Sequence, residues 1–124
     1  MNIKIRSVNF EITPAINDYI KKKISSLDKF VDDPVSTLCE VEIGRTTKHH
    51  KSGDIFRAEV NLSIPGIKQI YAVAQEVDLY TAIDIVRNDA ERGIISKKNK
   101  SETLWRKGAS KLKNLLKRID IRKK

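Results

Sequence analysis

Cysteine is nearly absent: Cys39 is the only one, so no internal disulfide can form. A chain of this kind fits a reducing, intracellular setting, and a cytoplasmic location is expected. Histidine is almost as scarce. His49 and His50 are adjacent, point apart on an extended chain, and have no Cys, Asp or Glu at ligand spacing, so no metal site is expected. The five glycines are scattered, and no phosphate-cradling loop can be assembled from them. No apolar run approaches the roughly 18 residues that a membrane span needs. The N-terminal stretch MNIKIRSVNFEI alternates, and lacks the apolar core of a signal peptide. Catalytic groups are equally thin. Cys39 falls mid-strand on the apolar side, where a buried inert thiol is expected. Asp78 reads as a helix N-cap and Asp84 as a solvent-facing residue rather than as a carboxylate pair. No enzyme, no cofactor and no small-molecule substrate are expected.

What is present is enough apolar residue for one core and a strong, uneven positive charge. Hydrophobic residues make up 40% of the 124, which suits one domain. The net charge is +9. Residues 1–96 hold 13 Lys and Arg against 14 Asp and Glu, whereas residues 97–124 hold 12 against 2. A basic block of this kind attracts nucleic acid or an anionic membrane, unless it is only a solvated tail.

Apolar spacing predicts the order β-α-β-β-β-α. Ile3 and Ile5 share one strand face, then Val8, Phe10 and Ile12 share one after a change of parity at Ser7, which predicts a bend or bulge. Thr13-Pro14 is an N-cap followed by proline at the first helical position. The helix it opens runs over residues 14–31 with Ile16, Tyr19, Ile20, Ile24, Leu27 and Val31 on one stripe, and Asp32-Asp33-Pro34 closes it. Lys22 and Lys29 face the other way and Lys23 lies on the flank. Three strands follow, in STLCEVEIGR, DIFRAEVNLSIPG and IKQIYAVAQ. The loop TTKHHKSGD between the first two of these is polar with a basic tip. In DLYTAIDIVRNDAERGIISKKNK, residues Leu79, Ala82, Ile83, Val86, Ala90 and Ile94 form a buried stripe. Thr81, Asn88 and Arg92 point to the opposite side with Arg87 flanking them, and at Lys97 the stripe meets a lysine, so the helix is expected to stop or to leave the sheet. The first helix is a crossover, which makes strand 1 parallel to a later strand. Strands 2–4 form a meander, and both helices cover one face of a two-layer α+β domain.

The domain is expected to span residues 1–100. Residues 101–124, SETLWRKGASKLKNLLKRIDIRKK, are expected to form a separate basic tail with a possible helix. Lys22, Lys23 and Lys29 on the first helix, with Arg87, Arg92, Lys97, Lys98 and Lys100 on the second, would line one basic layer suited to phosphate backbones. The competing reading is a solvated face, diluted by Asp18, Asp84, Asp89 and Glu91.

Two stretches carry a resemblance: EITPAINDYI with LDKF over residues 11–30, and DLYTAID with ER over residues 78–92. With their spacing and the element order, they resemble the ribosome hibernation-promoting factor family, which includes ribosome-associated inhibitor A. DLYTAID is similar to that family's Asp-Met-Tyr-x-Ala-Ile-Asp signature. The resemblance covers residues 1–100. It implies a four-stranded sheet with two helices on one side, similar to a double-stranded-RNA-binding domain. It implies binding to the small ribosomal subunit and its rRNA, in the channel used by mRNA and tRNA, with translation blocked and idle ribosomes preserved. Lys23, Arg92, Lys98 and Lys100 match basic positions of the family, with Lys22 and Lys29 as neighbours. Asp89 and Ser26 depart from it, standing where the family often has a basic residue. Residues 101–124 are too few for the second domain by which long members pair ribosomes, so a short form is expected, monomeric when free and without a membrane partner. A general RNA-binding module that does not enter the decoding channel is the alternative. A membrane- or partner-docking adaptor driven by the tail is the third reading.

Overall fold

Four alternating stretches become one sheet because each offers an apolar row to the same side. The computed structural model describes residues 1–46 and 53–100. Strands β1 (Asn2–Val8), β2 (Leu38–Thr46), β3 (Ile55–Ser63) and β4 (Ile70–Glu76) lie in the order β1-β2-β3-β4. β1 is parallel to β2, and the other neighbours are antiparallel. The parallel pair requires a crossover, and helix α1 (Pro14–Ser25) supplies it. Residues 79–100 are helical and form α2.

The register aligns the inward rows. Ile5, Val41, Val60 and Ala72 stand side by side across the four strands, as do Ile3, Cys39, Leu62 and Ile70. Onto these rows α1 lowers Ile16, Ile20 and Ile24, and α2 lowers Leu79, Ile83, Val86, Ala90 and Ile94, giving one continuous core. Both helices therefore cover the same face, as the period-2 and helical stripes predict. Contacts between the helices follow in the same order along both: Tyr19 meets Tyr80, Lys23 meets Asp84, Ser26 meets Arg87, and Asp32 meets Lys98. The two helices thus run parallel, side by side.

Three local expectations need correction. β1 has no bulge; it pairs with β2 without interruption to Val8, which ends on the outer face and is exposed. The parity changes just beyond the strand. Asn9 takes a left-handed φ of 56°, a conformation Asn tolerates better than most residues, and this returns Phe10 to the core side. α1 also ends earlier than residue 31. Its last turn passes at Ser26 into a short 3-10 turn, Asp28–Phe30, which keeps Leu27 and Val31 buried while the chain swings toward β2. At Lys97, finally, α2 neither stops nor leaves the sheet. The lysine stem is half-buried, and its ammonium donates to the carbonyl of Gln69 at 2.6 Å, just before β4. A lysine can replace an apolar residue in the stripe when its head finds a backbone acceptor. The stretches 47–52 and 101–124, with the paired histidines and the tail, lie outside the described residues.

Candidate nucleic-acid interface

The α1–α2 layer is built from the ends of its two stripes. Thr13 caps α1 by accepting from the Ile16 amide at 3.3 Å. Asp78 caps α2, accepting from the Tyr80 amide at 3.3 Å and from the Thr81 hydroxyl at 2.8 Å. That agrees with its expected role. Asp84 is partly exposed, as expected, but it also reaches across the seam to α1. Its Oδ1 accepts from the Tyr19 hydroxyl at 2.5 Å and lies 3.6 Å from the Lys23 ammonium. Burial and this hydrogen bond push the Tyr19 phenol up to about 12, so it stays a neutral donor. Lys23 also sits 5.5 Å from the centre of the Tyr19 ring.

The eight expected cations fall into three groups. Four are paired with carboxylates. Lys23 meets Asp84, Lys98 meets Asp32 at 2.9 Å, Arg87 meets Glu91 at 3.2 Å, and Arg92 meets Asp89. Arg87 is the most enclosed: its side chain is 14% exposed, it donates to the Ser26 hydroxyl at 2.9 Å, and it lies 5.9 Å from the Phe30 ring. It braces the two helices and presents little charge outward. Ser26, where the family often has a basic residue, is thus used as an acceptor. Lys97 forms the second group alone, turned to the Gln69 carbonyl. Lys22, Lys29 and Lys100 form the third; they are exposed and pair with no carboxylate among the described residues. Lys29 is 5.2 Å from the Phe30 ring. The structure therefore brings Lys23, Arg87 and Lys98 to the seam, leaves Arg92 outside it, and turns Lys97 away. Lys21 is a further cation of α1 outside the expected set. It is exposed on α1, on the side of Asn17 and β1, and its only sequence signal is its place in the run Lys21-Lys22-Lys23.

The charge balance is plain. Residues 1–46 and 53–100 together hold 14 Lys and Arg and 14 Asp and Glu. The whole excess lies in residues 47–52, with Lys48 and Lys51, and in residues 101–124, with nine Lys and Arg against Glu102 and Asp120. Two arginines of the outer sheet face are also paired. Arg6 meets Glu42, and Arg57 donates to Glu59 at 2.6 Å and to the Tyr71 hydroxyl at 3.1 Å. The Arg57 hydrogen bond holds the Glu59 carboxyl below its usual value. Cys39 is fully enclosed, and burial pushes its thiol up to about 12, which leaves it a poor nucleophile. Among the described residues no three His, Cys, Asp or Glu converge, and no helix is long and apolar enough to cross a membrane.

Comparison with known proteins matches residues 3–102 to the family described as Sigma 54 modulation protein / S30EA ribosomal protein. The ribosome hibernation promotion factor of Bacillus subtilis (strain 168) is 31% identical over 110 residues, which is 89% of this chain and 55% of that protein. The ribosome hibernation promoting factor of Klebsiella oxytoca is 30% identical over 100 residues, covering 81% of this chain and 96% of that one. The chain thus spans about half the length of the first relative and nearly all of the second. Among solved structures, the N-terminal domain of Protein Y from Thermus thermophilus has a TM-score of 0.65 and 33% identity, covering 76% of this chain and 96% of that one. A ribosomal subunit interface protein from Coxiella burnetii shares the fold, with a TM-score of 0.65 at 18% identity, over 80% of this chain and 99% of that one.

Proposed function

Because this chain belongs to the Sigma 54 modulation protein / S30EA ribosomal protein family, we propose that it is a ribosome hibernation factor. It binds the small ribosomal subunit and its rRNA in the channel used by mRNA and tRNA, and so inhibits translation in idle or stressed cells. The observation that carries this reading is the match across the whole described fold to relatives named for ribosome hibernation. It acts in the cytoplasm by binding and not by catalysis, as a monomer until it meets the ribosome.

The α1–α2 layer is the contact surface in this reading. Lys22, Lys29 and Lys100 make the first phosphate contacts, because they need release no carboxylate. Lys23, Arg92 and Lys98 join by exchanging a carboxylate for a phosphate, while Arg87 and Lys97 hold the layer together. Residues 1–100 act as the binding domain and residues 101–124 supply additional positive charge. A general RNA-binding module remains the second reading. It is favoured by the neutral charge of the described residues, since the charged segments alone would then attract any RNA.

Sucrose-gradient sedimentation separates the two readings. The full chain is mixed with purified ribosomes, with and without an excess of unrelated structured RNA, and a cell-free translation reaction is run in parallel. Retention on the small subunit against the competitor, with translation reduced, supports the hibernation reading. Loss to the competitor with translation untouched supports the general module.

A further inference from the structure

Tyr80 is a large aromatic that stands outside the core. It lies in the first turn of α2, at the seam with α1, and is 40% exposed. Tyr19 packs against the core and Tyr80 does not. Yet Tyr80 is held in place. Its ring meets Tyr19 edge to face, with centres 4.8 Å apart and planes at 82°. Tyr19 is fixed in turn by its hydrogen bond to Asp84. An exposed ring held by a buttress, with cations alongside, is the arrangement on which proteins stack unpaired bases.

We propose that Tyr80, braced by Tyr19, is a stacking platform for one unpaired RNA base, whose flanking phosphates are met by Lys22 and Lys23. The proposal rests on the rRNA-binding reading above and adds a base contact to it. The exposed, braced ring favours a base as the occupant, and two cations stand one turn along α1 from Tyr19. Lys22 is exposed and unpaired, and Lys23 sits beside Tyr19. Two of the nearby carboxylates are already engaged, Asp78 as the α2 cap and Asp84 by Tyr19 and Lys23. Asp18, exposed one turn before Lys22, offsets part of that charge, so the ring and not charge alone must supply the preference for this place. Because Tyr19 fixes the platform in advance, little side-chain freedom is lost when a base arrives. The base is an unstacked one, since inside a duplex both faces of a base are covered by its neighbours.

The test is binding of the full chain to purified ribosomes by sedimentation, with four forms at residue 80. Tyr80→Leu keeps apolar bulk and removes the ring; its affinity is expected to fall about tenfold, in the range of one lost base stack. Tyr80→Phe and Tyr80→Trp keep a ring and are expected to bind within about twofold of the natural protein. Melting curves of all four report folding, so if Tyr80→Leu does not fold, retention by Trp and Phe decides. Tyr80→p-benzoylphenylalanine, irradiated on the ribosome, is expected to attach to RNA. Full affinity of Tyr80→Leu, loss in Tyr80→Phe or Tyr80→Trp, or attachment to a ribosomal protein overturns the platform while leaving ribosome binding intact. Failure of the natural protein to bind ribosomes at all overturns the function it rests on.

Discussion

Gly93 sets how closely α2 approaches the sheet, and replacing it by alanine should destabilise the domain although alanine is the better helix former. A Cβ placed on Gly93 would stand 2.9 Å from Cγ2 of Ile70. Ile70 is 3% exposed and opens β4, paired with Leu62. Its Cγ2 is attached at the branch point and moves only if χ1 turns, which is stiff in a β-branched residue. Gly93→Ala should therefore gain about 1 kcal/mol of helix propensity and lose about 2 kcal/mol to overpacking. The net loss is about 1 kcal/mol, a fall in melting temperature of about 4–8 °C for a domain of this size. The sign must reverse when Cγ2 is absent. Ile70→Ala alone should cost about 2–5 kcal/mol. In that background Gly93→Ala should stabilise by about 1 kcal/mol, giving a coupling of about 2 kcal/mol. Ile70→Val keeps a methyl at the same place and should leave the penalty intact. Urea unfolding followed by far-UV circular dichroism on these variants measures each term. If Gly93→Ala stabilises equally with Ile70 and with Ala at position 70, the close approach of α2 to β4 is not what selects glycine.

Alkaline unfolding offers a second measurement. The Tyr19 and Cys39 protons are held up to about 12 in the folded state, from ordinary values of 10.0 and 9.0. The folded chain therefore keeps protons that the unfolded chain releases, and stability should fall as pH rises from about 9 toward 12. Tyr19→Phe should remove the part that begins near 10 and leave the part due to Cys39; equal urea midpoints at pH 8 and pH 11 would contradict this. Reversal of charge at Lys22 and Lys100 should weaken ribosome binding without changing the unfolding midpoint. Reversal at Lys23 and Lys98 should do both, because each then faces the carboxylate it had paired with, and an unchanged midpoint would discount those pairs. Truncation after Lys100 should weaken ribosome binding and flatten its salt dependence, as removal of a basic segment must if that segment contacts phosphates. An unaltered slope in filter-binding titrations across salt would place the phosphate contacts elsewhere.

The two layers and the order of elements along the chain were legible because they follow from local periodicity, whereas the strand that β1 joins, β2, was not. Alternation in Phe56, Ala58, Val60 and Leu62 needs no partner to be read, and the helical stripes name their own buried residues. The failures came where a partner distant in the chain decides. Asp84 looked solvent-facing from its own helix and is partly so, but its place is set by Tyr19 and Lys23, 65 and 61 positions away. Lys97 looked like a stop signal, and a carbonyl 28 positions away accepts its charge. At β1, a change of parity cannot distinguish a bulge within the strand from a turn just after it; only the unbroken register and the left-handed Asn9 do so. The pairs within α2, Arg87 with Glu91 and Arg92 with Asp89, follow from helical spacing, but those of Lys23 with Asp84 and Lys98 with Asp32 do not.

That neutralisation changes what the helix layer contributes to binding. An exposed ion pair is worth about 0.2–1 kcal/mol, so breaking the Lys23, Arg92 and Lys98 pairs is affordable. The carboxylates released, however, would remain beside the incoming phosphates and repel them. Each exchange therefore yields less than a free lysine contact does. Long-range attraction depends on net charge, and the described residues carry none. Attraction must then come mainly from the basic stretches 47–52 and 101–124, which draw any polyanion. In the proposed function, discrimination falls to the helix layer, where a partner gains most if its phosphates reach Lys22, Lys29 and Lys100 and can also displace the carboxylates of Lys23, Arg92 and Lys98. A neutral surface with cations held in pairs is suited to that task, since a misplaced phosphate meets a carboxylate as readily as an ammonium. Under the proposed function, affinity then rests mainly on the basic stretches and specificity on the helix layer.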